Sequence, residues 1–194
     1  MESLKIRLEG VAPLLVNSNC TVDPLNEYTQ KIAEITGKGT KKMTLDDHAE
    51  VYRLKWHASL YYDEAIGPYI PSDNIIRCIR DGAAAVRKGK DVYRAVTVLQ
   101  DKNPIKYKGP RDKDELYKNR DFVFIKQAKL NGKSTIMTCR PIFNDWSIEF
   151  DVLFNQSIIN KKELITAIST AGTIEGIGTW RPRFGRFTST VIGE

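Results

Sequence analysis

Residues 176–187, GIGTWRPRFGRF, place three arginines, three glycines and three aromatics in twelve positions. Glycine reaches positive φ and lets another backbone approach closely, so a glycine-rich connection can turn amide groups toward an anion. Gly176 and Gly178 supply that freedom ahead of Trp180. Arg181, Arg183 and Arg186 add planar guanidinium forks that match phosphate oxygens. Pro182 restricts the backbone between two of them. Trp180 and Phe184 either stack on bases or anchor the loop to the core, with anchoring the favoured role. Three arginines this close repel one another unless an anion is near, which favours a ligand role for Arg181 and Arg183. Arg186 stands at the edge of the next strand, where Glu149 or Asp151 offers an alternative partner.

Other groups narrow the chemistry. The formal charge is +6, and residues 102–133 alone hold ten Lys/Arg against four Asp/Glu. Concentrated positive charge attracts polyanions and speeds their encounter, although a solvated lysine-rich loop has the same composition. Metal-free RNA cleavage needs a base and an acid, commonly His, Tyr or Lys, and His48 and His57 are the only histidines. His48 lies beside an apolar helical stripe and reads as structural, while His57 and Tyr61, one turn apart, form the remaining candidate pair. Asp46 and Asp47 are explained as first-turn helix charges rather than metal ligands. No P-loop, nucleophile elbow or HExxH is present, so neither cofactor nor metal is expected. Cys20, Cys78 and Cys139 are odd in number and far apart, which fits reduced, mostly buried thiols in a cytoplasmic protein. No stretch is long enough to cross a bilayer, and the first residues lack a signal-peptide profile.

The elements that must position these groups follow from periodicity. Leu4, Ile6 and Leu8 alternate with charged residues, the mark of a half-buried strand. Residues 19–66 read as a mainly helical insertion, with Leu25, Tyr28, Ile32 and Ile35 on one helix. Thr44 caps a second helix, with Asp47 at its third position and a stripe of Leu45, Ala49, Tyr52, Trp56 and Leu60. Ser72 caps a third, whose stripe is Ile75, Ile76, Ile79, Ala83 and Val86, and Gly89 closes it. Arg77, Arg80 and Arg87 fall on another face of that helix. Residues 92–99 read as a strand, and 101–121 as a basic, thumb-like loop. Two strands, 122–130 and 133–143, flank an Asn131-Gly132 hairpin turn. Residues 148–154 alternate as a further strand, Asn160 and Glu163 form a capping box for a helix over 161–171, and 187–192 is the final strand. With the insertion set aside, the order predicts a single α+β domain over 1–194. Its core is ferredoxin-like (RRM-like): an antiparallel sheet with two helices on one face.

The helix over 161–171, the loop Gly176-Ile177-Gly178 … Arg181-Pro182-Arg183-Phe184-Gly185-Arg186-Phe187 and the strand after it resemble the carboxyl-terminal end of the RAMP superfamily, the CRISPR-associated RNA-binding proteins. The stretches EGVAPLLV and YIPSDNIIRCIRDG also fit that family, so the resemblance covers about half the chain. Pro182 departs from the pattern, and no second glycine-rich loop is present. The resemblance implies a non-catalytic subunit that binds single-stranded guide RNA in a CRISPR effector-type ribonucleoprotein, beside copies of itself and other effector subunits. It places Arg77, Arg80, Gly176, Gly178, Arg181, Arg183 and Arg186 against RNA. It also makes 101–121 a thumb whose contacts are Lys106, Tyr107, Lys108 and Arg111. The alternatives are a viral or mobile-element protein using the same fold against host defence or on single-stranded nucleic acid, and a RAMP endoribonuclease.

Overall fold

The computed structural model describes residues 1–130 and 134–193. Strand β1 (Glu2–Gly10) is followed by the short β2 (Leu14–Leu15), then by helices α1 (Glu27–Thr36) and α2 (Leu45–Ser59). A hairpin of β3 (Tyr62–Asp63) and β4 (Gly67–Pro71) leads into α3 (Ser72–Ala84) and α4 (Gly89–Ala95). The middle of the chain holds β5 (Val96–Val98), β6 (Lys102–Lys106), α5 (Lys113–Lys118), β7 (Val123–Leu130) and β8 (Ser134–Phe143). It is followed by β9 (Ser147–Phe154), α6 (Lys161–Thr170) and β10 (Phe187–Gly193). The protein is thus α+β with mostly antiparallel sheets. Its Cα packing divides it into two compact units, Met1–Leu15 with Tyr62–Lys108 and Phe143–Glu194, and Val16–Tyr61 with Gly109–Ile142.

In the first unit β1 lies between β10 and β9, antiparallel to both. The far edge of β9 is shared: β5 pairs with it at Val152–Phe154 and β6 at Ser147–Ile148, and β4 and β3 continue outward from β6. Period-two alternation sends Leu4, Ile6 and Leu8 of β1 and Ile148, Phe150, Val152 and Phe154 of β9 into the core. Helix α6 contributes Leu164, Ala167 and Ile168 and borders Ile6, and α3 contributes Ile75, Cys78, Ile79 and Ala83. Each Leu, Ile, Val or Phe among these side chains stabilises the fold by about 1.5–3 kcal/mol on full burial. The helices meet closely at Gly82, where a Cβ would lie 2.6 Å from the Ala167 carbonyl oxygen.

The opposite face of β1 and β9 shows Ser3, Lys5, Arg7 and Glu9 beside Ser147, Glu149, Asp151 and Leu153. Its charges cancel locally. Arg7 and Lys106 both reach Glu149 Oε1, at 2.6 and 2.7 Å, and their hydrogen bonds hold that carboxyl down at about 2.

In the second unit, α2 starts on the Thr44–Asp47 capping box and buries Val51, Leu54, Trp56 and Ala58. Trp56 Nε1 donates to the Phe122 carbonyl at 2.9 Å, and β7 pairs antiparallel with β8. The expected Asn131-Gly132 turn lies outside the described residues.

Several expectations are corrected. Leu45 is 87% exposed and Ala49 is exposed, because the buried face of α2 joins the expected Trp56 and Leu60 to Val51 and Leu54. Gly89 opens α4 rather than closing α3, and the strand expected over 92–99 is extended only at Val96–Val98. Val92 and Ala95, one helical turn apart, both point into the core, and that packing overrides the strand preference of Val92 and Tyr93. Pro71, not Ser72, occupies the cap of α3, and the Ser72 N–H donates to Asp101 O. The basic stretch 101–121 is no loop: it holds β6, α5 and the start of a 3-10 turn, Arg120–Phe122.

Candidate nucleic-acid interface

The loop after α6 begins where a five-residue π-helical turn, Ala171–Glu175, gives way to Gly176 at φ 75°. From there it is knitted to the segment after β1. Thr179 N–H donates to Leu15 O, Gly185 N–H to Pro13 O and Ile177 N–H to Gly185 O, each at 2.8 Å. Arg186 O accepts from Val11 N–H at 2.9 Å. Ile177, Phe184 and Phe187 are buried, and Trp180 lies edge-on to Phe184 with ring centroids 6.4 Å apart. The aromatics therefore anchor the loop.

The glycines serve the same end. Gly176 and Gly178 adopt φ 75° and 90°. A Cβ at Gly176 would lie 2.7 Å from Phe184 O, and one at Gly178 would meet Leu15 O. Gly176 is buried and donates its N–H to Ala171 O at 2.8 Å. Chain-on-chain packing thus demands both glycines, and the Gly176 amide is spent on Ala171 O rather than left for an anion.

The arginines separate from one another. Arg181 turns back onto α3, with both terminal nitrogens 3.4 Å from Asp81 Oδ2 and one also donating to Gly176 O. Arg80 grips the other carboxylate oxygen through Nε at 3.2 Å and a terminal nitrogen at 2.8 Å. Arg77 approaches Oδ2 at 3.9 Å from one turn earlier on the helix. Three guanidinium groups thus share one carboxylate, leaving an excess of two positive charges. Arg183 is exposed, its guanidinium 5.6 Å from the Phe184 ring centre. Arg186 pairs with neither Glu149 nor Asp151; its Nε donates to Pro182 O at 2.9 Å.

The residues expected on the thumb divide between the two units. Lys106 belongs to the Glu149 cluster, and Tyr107 is half-buried with its ring 4.9 Å from that of Phe143. That packing removes Tyr107 as a projecting base-stacking platform. Lys108 is exposed in the first unit, whereas Arg111 belongs to the second.

The histidine pair is also corrected. Helix α2 ends at Ser59, so Tyr61 does not share its face and instead donates to Asn17 O at 3.4 Å. The His57 side chain is 2% exposed, with Nδ1 2.8 Å from Arg53 O and Nε2 2.9 Å from Asp114 Oδ1. Asp47 closes its capping box and pairs with Lys38. Burial pushes the Cys78 thiol up to about 12 and the Cys139 thiol to about 11, which makes both poor nucleophiles. Among the described residues no three His, Cys, Asp or Glu side chains converge as metal ligands, and no helix is long and apolar enough to cross a membrane.

Lys90 and Arg94, which the sequence pattern did not single out, stand with Arg87 beyond the end of α3. Arg87, Lys90 and Arg94 line a cleft with Arg80, where α3 passes into α4. Residues 77–94 hold six Lys/Arg and two Asp/Glu, a local excess of four that could have been counted in advance.

Fold and site together define the class: an α+β protein whose arginines gather on one helix and one loop. No protein-family model matches the chain, and no curated protein matches it in sequence.

Proposed function

We propose that the chain is a non-catalytic single-stranded RNA-binding subunit built on a ferredoxin-like core of the RAMP kind. The order β10-β1-β9 with β5 and β6 beyond, α3 preceding β5 and α6 preceding β10, supports that core. The observation that carries the reading is the trio Arg77, Arg80 and Arg181 on the single carboxylate of Asp81, with Arg183 exposed on the same loop as Arg181. Uncompensated guanidinium charge of this kind favours phosphate oxygens. The balanced outer sheet face, with no aromatic at the exposed positions of β1 and β9, offers no competing platform. Burial of His57 against Arg53 O and Asp114 favours the non-catalytic form over the endoribonuclease.

In this reading the partner is guide RNA in a cytoplasmic effector ribonucleoprotein, coated by successive copies of the chain. The test is binding of fluorescent single-stranded RNA across a salt series, with sizing on RNAs of increasing length. Arg77→Ala with Arg183→Ala should lower the slope of log K against log salt by about 1.4, at ~0.7 for each phosphate no longer bound. Complexes should grow with RNA length. No binding by the parent protein at low salt would overturn the proposal.

A further inference from the structure

The passage from α3 to α4 has features that the loop lacks. Arg80, Arg87, Lys90, Tyr93 and Arg94 line an open cleft of about 960 Å³, and Ala84 and Gly89 leave its floor low. The side chains of Arg87, Lys90 and Arg94 form no hydrogen bond or ion pair with any described residue. The nearby carboxylates are engaged elsewhere: Lys88 Nζ holds Asp91 at 3.3 Å and Glu163 at 3.5 Å, and Asp81 is held by the arginine trio. Lys90 and Arg94, four residues apart on α4, point from the same side at Cβ separations of about 5–6 Å. Between them Tyr93 is 74% exposed. An exposed ring among unpaired cations offers a base a stacking surface while its phosphates meet charge, the combination that holds single strands without reading sequence.

We infer that this cleft binds an unpaired polynucleotide strand, with a base stacked on Tyr93 and phosphates on Arg87, Lys90 and Arg94. The inference deepens the RNA-binding reading and rests on it: Arg80 belongs to both the Asp81 cluster and the cleft, so one strand can run from the first to the second. It also sets a preference, since a base in a duplex has no free face for Tyr93.

The probe is a fluorescein-labelled 20-nucleotide oligouridylate, read by anisotropy between 50 and 200 mM salt, with a duplex RNA of the same length alongside. Replacing Arg87, Lys90 and Arg94 together by Gln touches only exposed, unpaired side chains and should leave Tm unchanged. It should weaken oligouridylate binding about 100-fold at 0.1 M salt and lower the slope by about two, at ~0.7 for each phosphate no longer bound. Tyr93→Ala should cost about tenfold without changing the slope, and Tyr93→Phe should retain parental affinity. Parental binding by the triple variant, with Arg77→Ala/Arg183→Ala still impaired, would overturn the cleft and leave the broader reading standing. No oligouridylate binding by the parent would overturn both. Equal affinity for duplex would remove the Tyr93 role. If polyglutamate binds as tightly and Tyr93→Ala affects neither ligand, the occupant is an acidic protein, not a polynucleotide.

Discussion

The loop over 176–187 and the cleft between α3 and α4 are both rich in cations, and they differ in what holds those cations. In the loop, Arg181 is held by Asp81 and Gly176 O, Arg186 by Pro182 O, and Arg183 lies near the Phe184 ring. The backbone around them is clasped to Pro13 and Leu15. In the cleft, three of four cations have no partner among the described residues and the one aromatic faces solvent. An arginine that satisfies the protein's own carboxylate and carbonyls has fewer donors left for a ligand. A cation without such partners keeps its full field for an incoming anion. The loop is therefore chiefly a structural clasp with one outward arginine, and the cleft keeps more of its charge unpaired.

Damage to the clasp should appear first in stability. Gly185 has φ 74°, and a Cβ there would collide with Ile177 O, so Gly185→Ala should cost about 3 kcal/mol. In a chain of this size that lowers Tm by about 6–12 °C in thermal denaturation. Gly39 has a similar φ of 79° with nothing within 4 Å of its Cβ position, so Gly39→Ala isolates the strain, about 1 kcal/mol. Equal Tm losses for the two variants would remove the clasp.

A middle-sized effect tests the trio itself. Asp81→Asn removes the negative charge that Arg77, Arg80 and Arg181 share, and should strengthen single-stranded RNA binding several-fold. The salt slope should steepen by about 0.7 for each additional phosphate that the freed guanidinium groups bind. Weaker binding in this variant, with Tm unchanged, would mean that Asp81 orients the arginines for RNA rather than restraining them.

The smallest effect belongs to the outer sheet face. Lys106 and Arg7 hold the Glu149 carboxyl at about 2, below its usual 4.5. A depressed folded-state value means that the cluster's stabilisation is complete above pH 4.5 and disappears as pH falls toward 2. Chemical denaturation over that range should show the gap between the parent and Glu149→Gln closing on acidification. A gap that stays constant would show that the charge contributes nothing there.

Short-range features of the fold were legible in the sequence. The capping boxes Thr44–Asp47 and Asn160–Glu163 form as read, since each needs only residues three apart. The alternation of Leu4, Ile6 and Leu8 and of Ile148, Phe150, Val152 and Phe154 likewise marks a buried face that two neighbouring residues cannot share. The α4 segment reads as strand because Val92, Tyr93 and Val96-Thr97-Val98 all favour extended backbone, whereas packing of Val92 and Ala95 decides the backbone there. Tyr107 looked like an exposed stacking residue because nothing near it in sequence reveals Phe143.

Arginine, glycine and aromatic content, the positive charge and the starts of the two helices with capping boxes belong to the sequence alone, because local chemistry sets each of them. The tertiary structure decided which charges remain available. Asp81 meets Arg181 across a hundred residues of chain, Glu149 meets Arg7 across a longer span still, and Lys88 draws Glu163 away from the cleft. Neutralisation depends on distances of a few ångströms between side chains, and only the folded backbone sets those.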